Sequence, residues 1–103
     1  MTTIRISGEN ARALLYTIGS DTFEYEGQPE QRIVTMQDGQ EVPVWWFAFD
    51  DLPADVRMIV TLRTVFLRRM QINEADAHLR RSGWAFPCSE LEVLSTTEQE
   101  QAE

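Results

Sequence analysis

The sequence predicts an α+β domain in which a small antiparallel sheet of three to four strands packs on helices, in the order β-α-β-β-β-α-α with a further strand after the last helix. Three observations lead to this prediction. Residues 42–49 are apolar throughout, residues 55–71 repeat apolar side chains at helical spacing, and residues 22–26 alternate between apolar and polar side chains. A chain of 103 residues can bury a core of its own, so we assign one globular domain to residues 1–94. We expect residues 95–103, which are acidic and lack large apolar side chains, to be disordered.

The first part of the chain predicts a strand, a helix and a second strand. Apolar and polar side chains alternate over residues 2–7, which favours a short edge strand. Between residues 9 and 18, apolar residues recur at helical spacing, with Ser7 as the expected N-cap and Gly19 just beyond the end.

A β-hairpin is predicted next, because Asp38-Gly39 is typical of a two-residue turn between two strands. That turn sets a register that pairs Thr35 with Val42, Ile33 with Val44, Gln31 with Trp46, Val34 with Pro43 and Arg32 with Trp45.

This register divides the apolar strand into two faces. The face that contains Val44 and Trp46 carries no charge, and we expect it to pack against the helices. Three aromatic side chains then lie on the opposite face: Trp45, Phe47 and Phe49. Arg32 can stack there on Trp45, and Trp together with Arg is typical of interaction hot spots. The alternative is that residues 84–94 fold back and cover this face.

The long helix predicted after residue 54 has apolar side chains over roughly 220° of its circumference, whereas a surface helix needs only about 100°. Either this helix is central to the domain, or part of it contacts a partner. A homodimer through the long helix is therefore one alternative. A short second helix is predicted from Asn73, and Gly83 ends it.

Charge is unevenly distributed along the chain, whose net charge is −8. Residues 21–55 contain nine acids and one base, whereas residues 56–83 contain six arginines and two acids. Nucleic-acid binding normally requires a basic surface, so we do not expect direct binding to nucleic acid. A single cysteine, Cys88, and the absence of any signal-like or membrane-spanning apolar run predict a cytoplasmic protein with no membrane partner.

No catalytic or cofactor motif is present. The chain contains no Gly-rich phosphate loop and no nucleophile elbow. His78 lies one helical turn after Glu74, but no further Cys/His pair supports a metal site, and a nucleophilic pair of His78 with Cys88 needs a contact that spacing does not imply. We therefore predict no metal, no cofactor and no enzymatic activity, with a small enzyme or ligand-binding domain as an alternative.

The central α-β-β-β-α order resembles that of double-stranded-RNA-binding domains in topology. Those domains carry lysines at the start of their second helix, where this chain has Asp50, Asp51 and Asp55, so the resemblance implies no RNA binding here. In size and acidity the chain is also similar to phage-encoded inhibitors of host defence, including anti-CRISPR proteins.

The leading interpretation is a non-enzymatic acidic binding protein, an inhibitor or regulator that occupies a basic surface of a partner protein, one that itself could bind nucleic acid. The alternative of a homodimeric accessory or structural subunit stays open. The candidate partner-binding residues are those of the acidic stretch and the aromatic face: Glu24, Glu26, Glu30, Arg32, Glu41, Trp45, Phe47 and Phe49.

Overall fold

The computed structural model describes residues 1–94, which form six strands and three helices. In chain order these are β1 (Thr2–Ile6), α1 (Glu9–Leu14), β2 (Thr22–Tyr25), β3 (Glu30–Thr35), β4 (Glu41–Phe47), α2 (Ala54–Arg68), α3 (Ile72–Ser82), β5 (Trp84–Pro87) and β6 (Leu91–Val93). Short 3-10 turns follow α1 at Tyr16–Ile18 and β4 at Phe49–Asp51. The predicted α+β class and the predicted order of strands and helices are confirmed, and the tail predicted to be disordered, 95–103, lies outside the described residues.

The strands form two antiparallel three-stranded sheets, whereas the sequence pattern predicts a single sheet. In the first sheet β1 lies between β2 and β6, and in the second β4 lies between β3 and β5. The chain after α3 therefore adds one strand to each sheet. Because β2 and β3 belong to different sheets, the resemblance to double-stranded-RNA-binding domains is limited to the order of the elements.

The β3–β4 hairpin is shifted by one residue from the predicted register. The backbone N–H of Met36 donates to the oxygen of Gln40 at 2.8 Å, so the loop contains three residues and not two. Its last residue, Gly39, has a φ of 86°, as expected for a three-residue hairpin loop. Arg32 now faces Val44. The charged residues of β3 thus share a face with Val44. The face with Val44 and Trp46 was expected to pack against the helices because it carried no charge, and the observed register removes that reason.

Phe47 is at the centre of the core and joins the two sheets. Its ring contacts Tyr25 of the first sheet edge-on, with 5.0 Å between ring centroids, and stacks at 5.4 Å on Trp84 of the second sheet. Helix α2 closes this core with Val56 and Val60, both fully buried. Aromatic contacts of this kind contribute beyond their buried area.

Candidate functional site

The eight predicted partner-binding residues do not form one surface. Five of them are charged and exposed: Glu24, Glu26, Glu30, Arg32 and Glu41. Phe47 and Phe49 are only 0% and 3% exposed, and Trp45 packs against the core. The prediction of an exposed aromatic face is therefore wrong. Trp84 and Phe86 of β5 extend this face beside Phe47 and Trp45, and β2 and α2 pack over it. The structure instead agrees with the alternative in which the segment after α3 folds back.

Arg32 contacts a different tryptophan from the one predicted. Its guanidinium lies 4.2 Å from the ring centroid of Trp46, and it forms a salt bridge of 2.8 Å with Glu30. The indole N–H of Trp46 donates to the carbonyl of Ser82 at 2.8 Å. The one-residue shift of the hairpin explains the exchange, since it moves Arg32 to the Trp46 side of the sheet. Because Glu30 and Arg32 balance each other, this part of the hairpin has little net charge.

Glu24 and Glu26 lie in a cleft of about 500 Å³ between β2 and the segment that joins β4 to α2. We call this cleft, with its five lining carboxylates, the acidic cleft: Glu24, Glu26, Asp50, Asp51 and Asp55. The two glutamates face the same way because side chains alternate along β2, whose Phe23 and Tyr25 point into the core. The aspartates come from the 3-10 turn after β4 and from the first turn of α2.

Two hydrogen bonds, one between backbone groups and one to a side chain, hold the aspartate-bearing turn against β2. The N–H of Glu26 donates to the carbonyl of Asp51 at 3.1 Å. The N–H of Ala48 donates to the phenolic oxygen of Tyr25 at 2.6 Å. These contacts bring together residues that are about 25 positions apart in the sequence. All five carboxylates contribute to the negative charge predicted from the sequence, but the aspartates are not among the predicted site residues, because no local pattern indicates this contact.

Few cations offset the negative charge of the acidic cleft. Met1 and Arg57 also line it, and the guanidinium of Arg57, which donates to the carbonyl of Leu52 at 2.6 Å, keeps its positive charge. Asp50 forms a salt bridge with Arg80. Within residues 1–94, the structure records no ion pair for Glu26 or Asp51. The cleft therefore presents carboxylates whose charge is available to a positively charged ligand.

The candidate metal and nucleophile residues are not gathered into a site. No group of three histidine, cysteine or carboxylate side chains in the described part of the chain could hold a metal ion. Cys88 is half-buried and accepts a weak contact from the amide of Gln31 at 3.7 Å. His78 lies on α3, half-buried, and shares no recorded contact with Cys88 over residues 1–94.

None of the helices formed by residues 1–94 has the length and apolar content needed to cross a membrane. Comparisons of the chain with protein-family models, with curated proteins and with solved structures found no match.

Proposed function

We propose that this chain is a non-enzymatic binding protein whose acidic cleft receives a basic segment of a partner protein. The observation that carries the proposal is the convergence of five carboxylates on one cleft, where they exceed the positive charges of the lining residues Met1 and Arg57. The strongly negative composition of residues 21–55 adds a field of the same sign around it. Such a field steers basic partners toward the cleft and speeds their association.

The walls of the acidic cleft suit an arginine or lysine side chain. Carboxylates at the rim can accept charge-assisted hydrogen bonds from a guanidinium or ammonium group. Apolar groups of the half-buried Ile18 and Pro53 also line the cleft and can contact the aliphatic stem of the same side chain. A volume of about 500 Å³ accommodates a short segment of chain.

The partner surface that suits this cleft is a basic one that otherwise binds nucleic acid. The chain would then compete with nucleic acid for that surface. Phosphate groups themselves would be repelled by the same carboxylates. An inhibitor or regulator of a nucleic-acid-binding protein is therefore the narrower form of the proposal, and phage inhibitors of host defence are one class of proteins that act in this way. We place this activity in the cytoplasm, in keeping with the single cysteine.

The proposal can be tested with a fluorescent oligoarginine peptide as the probe. The double variant Glu24→Gln/Glu26→Gln should bind the peptide about tenfold more weakly than the original chain, since charge-assisted hydrogen bonds are lost. The control is Glu9→Gln/Glu41→Gln, which removes the same charge from exposed positions that do not line the cleft. This control should bind nearly as well as the original chain.

Salt provides the second arm of the experiment. Affinity for the peptide should fall steeply as salt is added, and less steeply for the cleft variant than for the control. Equal losses in the two variants would show that only net charge matters, and the proposal would then be abandoned. Absence of peptide binding by the original chain at low salt would have the same consequence.

A further inference from the structure

Helix α2 carries an exposed apolar stripe on the side opposite its buried side. The buried side contributes Val56, Val60 and Thr61 to the interior. At 100° per residue, the opposite side contains the following residues, which we call the α2 stripe: Met58, Ile59, Leu62, Val65 and Phe66. Ile59 and Val65, at the edges of the stripe, are half-buried, and Ile59 also packs against the core. The exposed fractions of Met58, Leu62 and Phe66 are 61%, 49% and 82%. Exposed apolar side chains arranged in one continuous stripe are typical of an interaction surface.

The apolar positions of the α2 stripe are arranged symmetrically about Leu62. Met58 and Phe66 each lie four residues from Leu62, and Ile59 and Val65 each lie three residues from it. Seven residues away, the two ends carry opposite charges, since Asp55 stands at one end and Arg69 at the other. A surface with this symmetry is complementary to a second copy of itself that runs in the opposite direction.

We propose that two copies of this chain associate through antiparallel α2 helices, with the twofold axis at Leu62. In this arrangement Asp55 of each copy faces Arg69 of the other. A parallel pair would instead place Asp55 beside Asp55 and Arg69 beside Arg69, and like charges in contact disfavour it. Arg69 is exposed and forms no recorded ion pair within residues 1–94, so its charge is available to the second copy.

Packing across the antiparallel pair follows from the helical spacing. Phe66, the most exposed member of the stripe, would enter the space between four residues of the second copy, namely Asp55, Met58, Ile59 and Leu62. Helix α2 has fifteen residues and is therefore about 22 Å long. A contact of this length is shorter than most stable interfaces, so we expect dissociation constants in the micromolar range.

Sedimentation of the full chain from about 1 to about 300 µM tests the association. The original chain should shift from monomer to dimer, and Leu62→Glu should raise the dissociation constant at least about 100-fold, because it places two carboxylates at the axis. The control is Leu67→Glu, since Leu67 is exposed on the same helix but lies outside the stripe. Thermal melts should show that both variants fold. The proposal would be overturned if the chain stayed monomeric throughout, since the stripe would then be left to a different protein. Equal effects of the two variants would also overturn it.

Cysteine cross-linking tests the geometry in a Cys88→Ser background. Under mild oxidation, Leu62→Cys should form a disulfide with its own copy. Met58→Cys should cross-link in a mixture with Phe66→Cys but not with itself, because the two Met58 positions lie about 12 Å apart along the pair. Efficient self-cross-linking of Met58→Cys would indicate a parallel pair and overturn the proposed arrangement.

The end charges provide an independent test. Arg69→Asp should weaken the dimer several-fold, and adding Asp55→Arg to it should restore the affinity by reversing the pair. Arg68→Asp is the matched control, because Arg68 is exposed and adjacent but points away from the stripe at 100° per residue. If Arg68→Asp and Arg69→Asp weaken the dimer equally, the proposed charge pairing is wrong.

Discussion

Gly83 packs directly against the indole ring of Trp46 where α3 ends and β5 begins. A Cβ atom built on Gly83 would lie 2.4 Å from three atoms of the indole. The residue also has a φ of 77°, in the left-handed region that favours glycine. The adjacent hydrogen bond from Trp46 to the carbonyl of Ser82 attaches the same ring to the end of α3. This junction directs the chain back to β4, and thereby places β5 beside it in the second sheet.

Gly83→Ala should be strongly destabilising for that reason. With ψ at −173°, this positive-φ backbone lies in a region adopted almost only by glycine and costs another residue about 1–3 kcal/mol, and overlap with the indole adds about 1–3 kcal/mol. Gly39→Ala is the matched control, because Gly39 also has a positive φ but has nothing within 4 Å of its position for a Cβ. Urea unfolding of both variants measures the difference. Equal losses of unfolding free energy would contradict the close packing of Gly83 on Trp46.

Truncation of Phe47 should destabilise the domain more than truncation at the exposed part of the hairpin. Phe47→Ala removes the ring that joins the two sheets and should cost about 3–5 kcal/mol, and Phe47→Leu a smaller amount. The control Ile33→Ala, at an exposed position of β3, should cost less than about 1 kcal/mol. Thermal and urea unfolding measure both. Ile33 pairs with Pro43 and therefore lies on the same face of the sheet as Phe47, but at the exposed end of the hairpin. A loss for Ile33→Ala as large as that for Phe47→Leu would contradict the position of the core at the Phe47 end of β4.

Glu90 should stabilise the start of α1, although the two are far apart in the sequence. The N-cap residue Gly8 has no side chain to accept a hydrogen bond, and the carboxylate of Glu90 accepts one from the N–H of Ala11 at 3.1 Å. We expect Glu90→Ala to cost about 1–2 kcal/mol, with Glu90→Gln less severe because an acceptor remains.

Ser7 is the N-cap that the sequence pattern predicts, so Ser7→Ala is the natural comparison. Its side chain forms no cap on α1, and we expect a change in unfolding free energy below about 0.5 kcal/mol. A larger loss for Ser7→Ala than for Glu90→Ala in thermal melts would reverse the assignment.

Stability should decrease at alkaline pH because of Tyr25. Burial raises the pKa of its phenol above the ordinary value of 10.0, and the charges of Asp51 and Glu30 raise it further, while the hydrogen bond from Ala48 acts in the opposite sense. As pH rises past 10.0, the unfolded chain loses this proton before the folded chain does. The contribution of the Tyr25 phenol to the free energy of unfolding is therefore fully present below that pH. It is lost progressively as pH approaches the raised pKa of the folded state.

The alkaline effect can be isolated by substitution. Tyr25→Phe should be less stable near neutral pH by about 1–2 kcal/mol, because the N–H of Ala48 loses its acceptor. Between about pH 8 and about pH 11 it should lose less stability than the original chain. Tyr16→Phe, at an exposed tyrosine, should keep the original pH dependence. If Tyr25→Phe retains the full alkaline loss in urea unfolding, the phenol is not its source.

The helices and strands could be predicted because their signals are local. Apolar spacing identified α2 and the strand before it, and alternation identified β2, to within a few residues of the observed bounds. The helix ends were less accurate. Arg69, with a φ of 55°, ends α2 earlier than the apolar pattern does, and Gln71 caps α3 together with Glu74 where Asn73 was expected to do so.

The sequence alone therefore determined the α+β class, the order of the elements and the excess of apolar surface on α2, all of which depend on spacing along the chain. Only the tertiary structure decided the hairpin register, the division into two sheets and the assembly of the acidic cleft. A one-residue difference in a turn exchanges the faces of a strand while leaving its local pattern unchanged, so the faces of Trp45 and Trp46 could not be assigned from the sequence. The contact between β2 and the Asp50–Asp51 turn similarly depends on long-range hydrogen bonds and on the packing of Tyr25, which no spacing in the sequence specifies.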